Sequence, residues 1–285
     1  MSSIAVIVEY GFREAVRRKM FAVVLILTAL FLFLYWLANH YVFGELSQIT
    51  PPADVHVDTR TFAGAFLMGL ARFATLFLGV VLAVFLTLGV VSGDTERGLL
   101  QPLVVRPVGR STLLLSRFLG AAGVCVAYVL VVYFTAMLVT GLTGHWWPAR
   151  LVWPGIELAF GVVIVIALSL LGSVGLSSTA NGIGVFMLFG AGLVAGLLGT
   201  IGHALNSHAV KHASTIAAWA LPFEALYQDA LRMITENASG LTSFLLQLGP
   251  FGGGYIHGWG IRVWSVGYLC VALVLAVLLF ARKDL

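Results

Sequence analysis

Charge is what this 285-residue sequence has least of, with Asp, Glu, Lys and Arg together at 10% where a soluble domain carries roughly 25%. Set beside 60% hydrophobic residues and a mean hydropathy of +1.01, that scarcity excludes a soluble globular fold and implies an integral membrane protein. The apolar runs lack the alternation of barrel strands, so they cross as helices. Cysteine is scarce too: Cys125 and Cys270 both fall inside apolar runs, which excludes a disulfide framework or zinc site and makes them small packing residues. No GxxxxGK[ST] loop is present, so the chain does not bind ATP in that way. There is no HExxH, and Ser173 in LGSVG lacks the nucleophile-elbow pattern. Ionisable residues at mid-span are nearly absent; only Arg72 and Glu157, the latter at a span edge, come near. That weighs against an intramembrane enzyme and an ion-coupled carrier. The net charge of +4 does not imply nucleic acid, because in a membrane protein such charges set topology. The first apolar run is too long for a signal peptide and no small-residue cleavage site follows it.

What is present reads in order as six spans within a single transmembrane domain over 1–285. Residues 2–19 have Ile4, Ile7, Val8, Phe12, Ala15 and Val16 on one helical side and Glu9, Arg13, Glu14, Arg17 and Arg18 on the other, an amphipathic helix lying on the membrane. Spans are expected near 21–43, within 61–91, and near 113–140, 156–176, 183–202 and 259–280. Arg72 is placed near the outer end of the second span, snorkelling to the interface; the rival reading is a charge facing a transport path. Trp146, Trp147 and Trp153, in the link after the third span, suit the headgroup belt. A brief polar turn, SSTANG, leads into a glycine-rich fifth span, where Gly192 and Gly196 have the spacing that lets helices approach closely. Tight packing and a hinge or channel wall are both open readings of these glycines.

Residues 203–258 form the longest non-spanning segment. Within it PFEALYQDALRMI is helical in pattern: Phe223, Leu226, Tyr227, Ala230, Leu231 and Ile234 share an apolar face opposite Glu224, Gln228, Asp229 and Arg232. That predicts an interfacial or re-entrant helix on the outer leaflet. Of sixteen Lys and Arg, ten fall in the amino-terminal helix, the loop before the third span and the tail, which puts both termini on the cytoplasmic side of a multi-pass membrane protein. The seven histidines, His40, His56, His145, His203, His208, His212 and His257, then lie outside or at the outer interface. His208 and His212 can share a helical face, but two ligands do not make a metal site. Asn237-Ala238-Ser239 fits a glycosylation sequon, relevant only in a eukaryotic secretory pathway.

The stretch SGDTERGLLQPLVVRPVGRSTLLLSRFLG, from Ser92 to Gly120, is the polar interruption carrying both signs of charge between two long apolar runs. Asp94 or Ser92 can cap a short helix, with Glu96 near its positive end. Leu99, Leu100, Leu103 and Val104 then give an apolar knob, and Pro107 stops the element. Arg110 follows, before Ser111 or Thr112 can cap the third span. Exposed apolar side chains rimmed by charge mark a protein-binding surface; alternatively the loop folds back on its own spans.

These residues resemble a family. Glu96-Arg97-Gly98-Leu99-Leu100, Leu103-Val104, Pro107-Val108-Gly109-Arg110 and Leu115-Ser116-Arg117-Phe118-Leu119-Gly120 are similar to the inner-loop signature of type-2 ABC transporter permeases, approximately E-x-G-T-L-x-x-L-L-x-x-P-V-S-R and then L-L-x-K-x-L-G. Leu99, Gly109 and Arg117 depart from its usual Thr, Ser and Lys. The resemblance implies an all-α polytopic permease that pairs with a second copy, or a homologous permease, and docks a separate cytoplasmic ATPase subunit. ATP and Mg would be bound by that subunit, with no cofactor in this chain. Glu96, Gly98, Leu99, Leu100, Leu103, Val104, Pro107 and Arg110, across the 92–112 loop, would make the ATPase contact. The function implied is that of an ABC exporter subunit. The alternative is a subunit that uses ATPase-driven motion on an outer-side partner protein, as a copper-enzyme maturation relative does.

Overall fold

Where no water can satisfy the backbone, an apolar run must close its hydrogen bonds within itself, and helix is the form that does so for a single segment. The computed structural model describes residues 19–46, 58–88, 110–236, 242 and 258–282. Among the described residues the chain forms eight helices and no strand: α1 Lys19–Leu46, α2 Thr59–Thr87, α3 Arg110–Gly144, α4 Trp153–Gly175, α5 Ser178–Ala204, α6 His208–Ala220, α7 Pro222–Thr235 and α8 Trp259–Arg282. Six of these, all but α6 and α7, are long and apolar enough to cross a membrane. The chain is a multi-pass membrane protein. Six crossings in succession return it to the side it started from; that side is here the terminal face and the other the opposite face.

The spans lie where hydropathy put them; the second, at 59–87, ends before the expected 91, and the other five are longer than or extend past their apolar runs. The third begins at Arg110 rather than near Leu113, so Ser111 and Thr112 are inside the helix and do not cap it. The SSTANG turn shrinks to Leu176 and Ser177, because Ser178 already opens α5. Asn181, in its first turn, is drawn back onto α4, donating from Nδ2 to Ser169 O at 2.9 Å. The first residue of α2 is set by Asp58, whose side chain accepts from Thr61 N at 3.0 Å. Hydrogen bonds from Thr61 also hold the Asp58 carboxyl below the usual carboxylate range. Asp58→Ala is therefore expected to fray the start of α2, at a cost of about 1 kcal/mol. Because the carboxyl is depressed, the cap is fully present above the ordinary Asp range and is lost as pH falls below that range through the lowered folded value. Hydrogen exchange at Thr61 in wild type and variant, compared at neutral and acid pH, checks both statements.

The core sits between α2, α3 and α4, with Met68, Leu76, Val80, Leu82, Val129, Ile164 and Ile166 fully buried. Lipid supplies no hydrophobic drive between helices, so small residues and hydrogen bonds do much of the holding. Thr28 on α1 meets Tyr128 on α3 at 2.6 Å, Tyr35 meets Thr140 at 2.5 Å, and Thr87 on α2 meets Ser169 on α4 at 2.6 Å. At the end of α3 the chain turns through His145 at φ 49°. Trp146 then folds inward onto Gly64 of α2, where any Cβ would overlap its indole. Trp146 is thus buried and outside any headgroup belt, whereas Trp147 and Trp153 are exposed. Cys125 is buried, as expected of a packing residue, but Cys270 is exposed on α8.

Residues 203–258 hold more structure than a loop. The end of α5 runs into them, α6 folds back along α5, and α7 turns inward against α4, α5 and α8. The opposite-face helix thus takes its re-entrant form. It does not lie on the surface, because Glu224 and Asp229 on its polar side are buried as well.

Candidate functional site

α7 begins at Pro222, whose missing N–H suits a first helical turn. Phe223 sits between two helices at points where neither has a side chain. A Cβ on Gly192 of α5 would lie 2.7 Å from its ring, and one on Gly161 of α4 would lie 3.4 Å from its carbonyl oxygen. One turn further along α5, a Cβ on Gly196 would overlap Glu224 Oε1. The glycine spacing of the fifth span thus marks close packing, and the element admitted is α7. Leu226, Tyr227, Ala230, Leu231 and Ile234 complete its buried side.

The remaining side of α7 is held by charge. Asp229, with no exposed surface, accepts from Arg262 Nη2 at 2.9 Å, and the same guanidinium donates from Nε to Glu157 Oε1 at 2.8 Å. One cation from the first turn of α8 therefore bridges an acid on α4 and an acid on α7. Trp153 Nε1 donates to Glu157 Oε1 at 3.0 Å, and the rings of Trp153 and Trp259 lie 5.4 and 5.6 Å from the Arg262 guanidinium carbon. Arg232 adds a partly exposed second cation, 3.6 Å from Asp229 Oδ1.

Arg72 is the fifth charge at this level and, like Asp229, has no exposed surface. Its Nη1 donates to Ala230 O of α7 and its Nη2 to Pro154 O of α4 at 3.3 Å, over the ring of Tyr133 on α3 at 5.8 Å. This corrects the placement of Arg72 at the interface. Snorkelling needs a free path to water, and α4 and α7 close that path while offering carbonyl oxygens in its place. Tyr133 in turn donates to Leu151 O at 3.0 Å. Arg72 and Arg262 balance Glu157 and Asp229, with Arg232 partly exposed beside them, the arrangement under which ionised groups are tolerated away from water. Its chemistry is that of a lock. Both acids are bound by one arginine, and among the described residues no group of three His, Cys, Asp or Glu side chains could hold a metal ion.

Of the 92–112 loop, Glu96, Gly98, Leu99, Leu100, Leu103, Val104 and Pro107 lie outside the described residues, as does the amphipathic 2–19 segment but for Lys19; Arg110 is the first residue of α3. The loop joins α2 to α3, the helices that carry Arg72 and Tyr133. His208 and His212 are exposed on α6, and His40 on α1 stacks on Trp36 with ring centroids 5.9 Å apart. Sequence reasoning missed the Arg262–Glu157–Asp229 bridge. Its signal was available: Glu157 and Arg262 each fall within the first turns of an apolar helix starting from the opposite face, and Asp229 falls in the helix between them.

A family model described as ABC-2 family transporter protein matches residues 5–285, nearly the whole chain. No curated protein matches it.

Proposed function

The chain belongs to the ABC-2 family of transporter proteins, and on that premise we propose that it is the permease subunit of an ATP-driven exporter in the cell membrane, with both termini cytoplasmic. A separate cytoplasmic ATPase subunit, binding ATP and Mg, docks on the loop around Glu96–Val104, and a second copy or a homologous permease completes the translocation path. The observation that carries this reading is the family match over 5–285 on a chain of six spans.

A mechanical route supports the coupling. A push on the loop displaces the terminal-face ends of α2 and α3. α2 carries Arg72, which is bonded to α4 and α7, and α3 carries Tyr133, which is bonded to the link before α4. Motion on the terminal face thus reaches the re-entrant helix through rigid spans. Only differential contact with the ATPase in its two nucleotide states would shift the permease between conformations.

The test is co-purification of a cytoplasmic ABC ATPase subunit co-expressed with this chain, with Leu100→Glu plus Leu103→Glu as the variant. Burying two carboxylates at an apolar contact costs at least about 2 kcal/mol in total, so binding should weaken roughly thirtyfold or more. Recovery of a well-folded variant without the ATPase is the expected result. Wild-type recovery of the ATPase by the double variant would remove the docking assignment.

A further inference from the structure

Glu224 and Gln228 stand four residues apart on α7 and face each other. Gln228 Nε2 donates to Glu224 Oε1 at 2.9 Å. The other two atoms of the pair, Glu224 Oε2 and Gln228 Oε1, are both buried and neither has a hydrogen-bond partner among the described residues. Each is an acceptor when the carboxyl is ionised, so they cannot satisfy one another. Leaving two such atoms bare is costly. A single proton removes the problem: on Oε2 it gives a donor beside an acceptor, and acid and amide close into a ring with two hydrogen bonds.

Among the described residues the neighbouring cations have other partners, and Arg232 on α7 itself lies 3.6 Å from Asp229 Oδ1. Arg72 on α2 is committed to Ala230 O and Pro154 O, and Arg262 on α8 to Glu157 and Asp229. On α6, Lys211 donates to Asn206 at 2.6 Å, and His208 and His212 are exposed. The acids on adjoining elements are Glu157 of α4 and Asp229 of α7 itself, with Tyr227 beside them on α7. On α5 the Glu224 side chain lies against Gly192 and Gly196, where an added Cβ would meet its Cβ and overlap its Oε1.

We propose that Glu224 and Gln228 form a proton-binding site: Glu224 is held as the neutral acid, donating from Oε2 to Gln228 Oε1, and loss of that proton to water unseats α7 from the glycines of α5. The site rests on neither the ATPase nor the loop. α7 is not one of the six spans, and burial pushes the Glu224 carboxyl up to about 8, against the opposing hydrogen bond from Gln228. The sign follows from that direction. An acid whose folded value is raised does not disfavour the packed state below its ordinary range. It disfavours that state increasingly as pH rises, with the full cost present once the raised value is passed.

The experiment uses the full chain in lipid vesicles, examined by infrared spectroscopy and amide hydrogen exchange at about pH 6 and about pH 10, as wild type and Glu224→Gln. The wild type is expected to show a protonated-carboxyl band at the lower pH that disappears at the higher one, and Glu224→Gln to lack it. Exchange across α7 should match between the two proteins at the lower pH and be at least tenfold faster in the wild type at the higher one. Comparison at equal pH removes the intrinsic rate. Should Glu224→Gln fail to fold, Gln228→Glu supplies a second reading. Two carboxyls sharing the site hold their proton to higher pH, so the midpoint of the band should move upward. A wild-type spectrum with no Glu224-dependent band at the lower pH, equal exchange at the higher pH, or a midpoint unmoved in Gln228→Glu would overturn the proposal.

Discussion

Arg262→Leu is expected to be among the most damaging single changes in the chain, costing about 3–5 kcal/mol. At about 2–4 °C per kcal/mol for a protein of roughly this size, the apparent melting temperature of the purified protein should fall on the order of 10 °C. The reason is the asymmetry between removing a buried pair and breaking one. Leucine fills part of the space but leaves Glu157 and Asp229, 4% and 0% exposed at their side chains, with the bridging cation gone and only the partly exposed Arg232 beside Asp229. The wild-type guanidinium is pre-shaped for this position, since its planar fork reaches acids on two helices at once. Arg262→Lys should therefore be intermediate, keeping the charge but bonding one acid well at most.

The same reasoning predicts rescue. Adding Glu157→Gln and Asp229→Asn to Arg262→Leu removes the stranded charges, and most of the lost stability should return. Double-mutant bookkeeping distinguishes this from packing loss, which the two amides would leave unrepaired. If Arg262→Leu melted within about 2 °C of wild type, a shift worth no more than about 1 kcal/mol, the bridge would have no part in holding α7.

The six spans were legible because apolar length is a one-dimensional property: twenty or so residues without charge have one low-energy form in a bilayer. The amphipathic face of α7 was legible for a related reason, since Phe223, Leu226, Tyr227, Ala230, Leu231 and Ile234 recur at the helical period. Its depth was not. A polar face of Glu224, Gln228, Asp229 and Arg232 reads as solvated unless its partners are known. Those partners, Arg262 and the glycines at 192 and 196, lie on other helices. Their roles depend on which helices meet, which periodicity does not report. Trp146 was misplaced on the same account, because only the turn at His145 brings its ring onto Gly64. The loop motif behaved in the opposite way. Its order of residues pointed to the family that the whole-chain match bears out, while its ATPase contact remains for the double-glutamate variant to decide.

Arg72 gives the second large effect, and here two terms of opposite sign must be weighed. Its guanidinium is fully buried, so the charge has lost its water, a cost of several kcal/mol by itself. Against that stand the two carbonyl bonds, to α7 and α4, the aromatic face of Tyr133, and the field of Glu157 and Asp229. Arg72→Ala removes all of the favourable terms and leaves a cavity at the junction of four helices. A loss of about 3–5 kcal/mol follows from the range for large buried side chains cut to alanine. Arg72→Met removes the same charge yet fills the space with a flexible apolar chain and no longer buries an ion. It should recover roughly 1–2 kcal/mol of the alanine loss, as volume-conserving exchanges do. The ordering, wild type above Met above Ala in apparent melting temperature, is the signature of a dry structural pin. Were Arg72 instead the wall of an open aqueous path, water would fill the space left by alanine, and Met and Ala would melt together near wild type. A cysteine at the same position settles the environment directly: Arg72→Cys should resist a water-soluble thiol reagent that modifies a cysteine placed at Trp147, which is exposed.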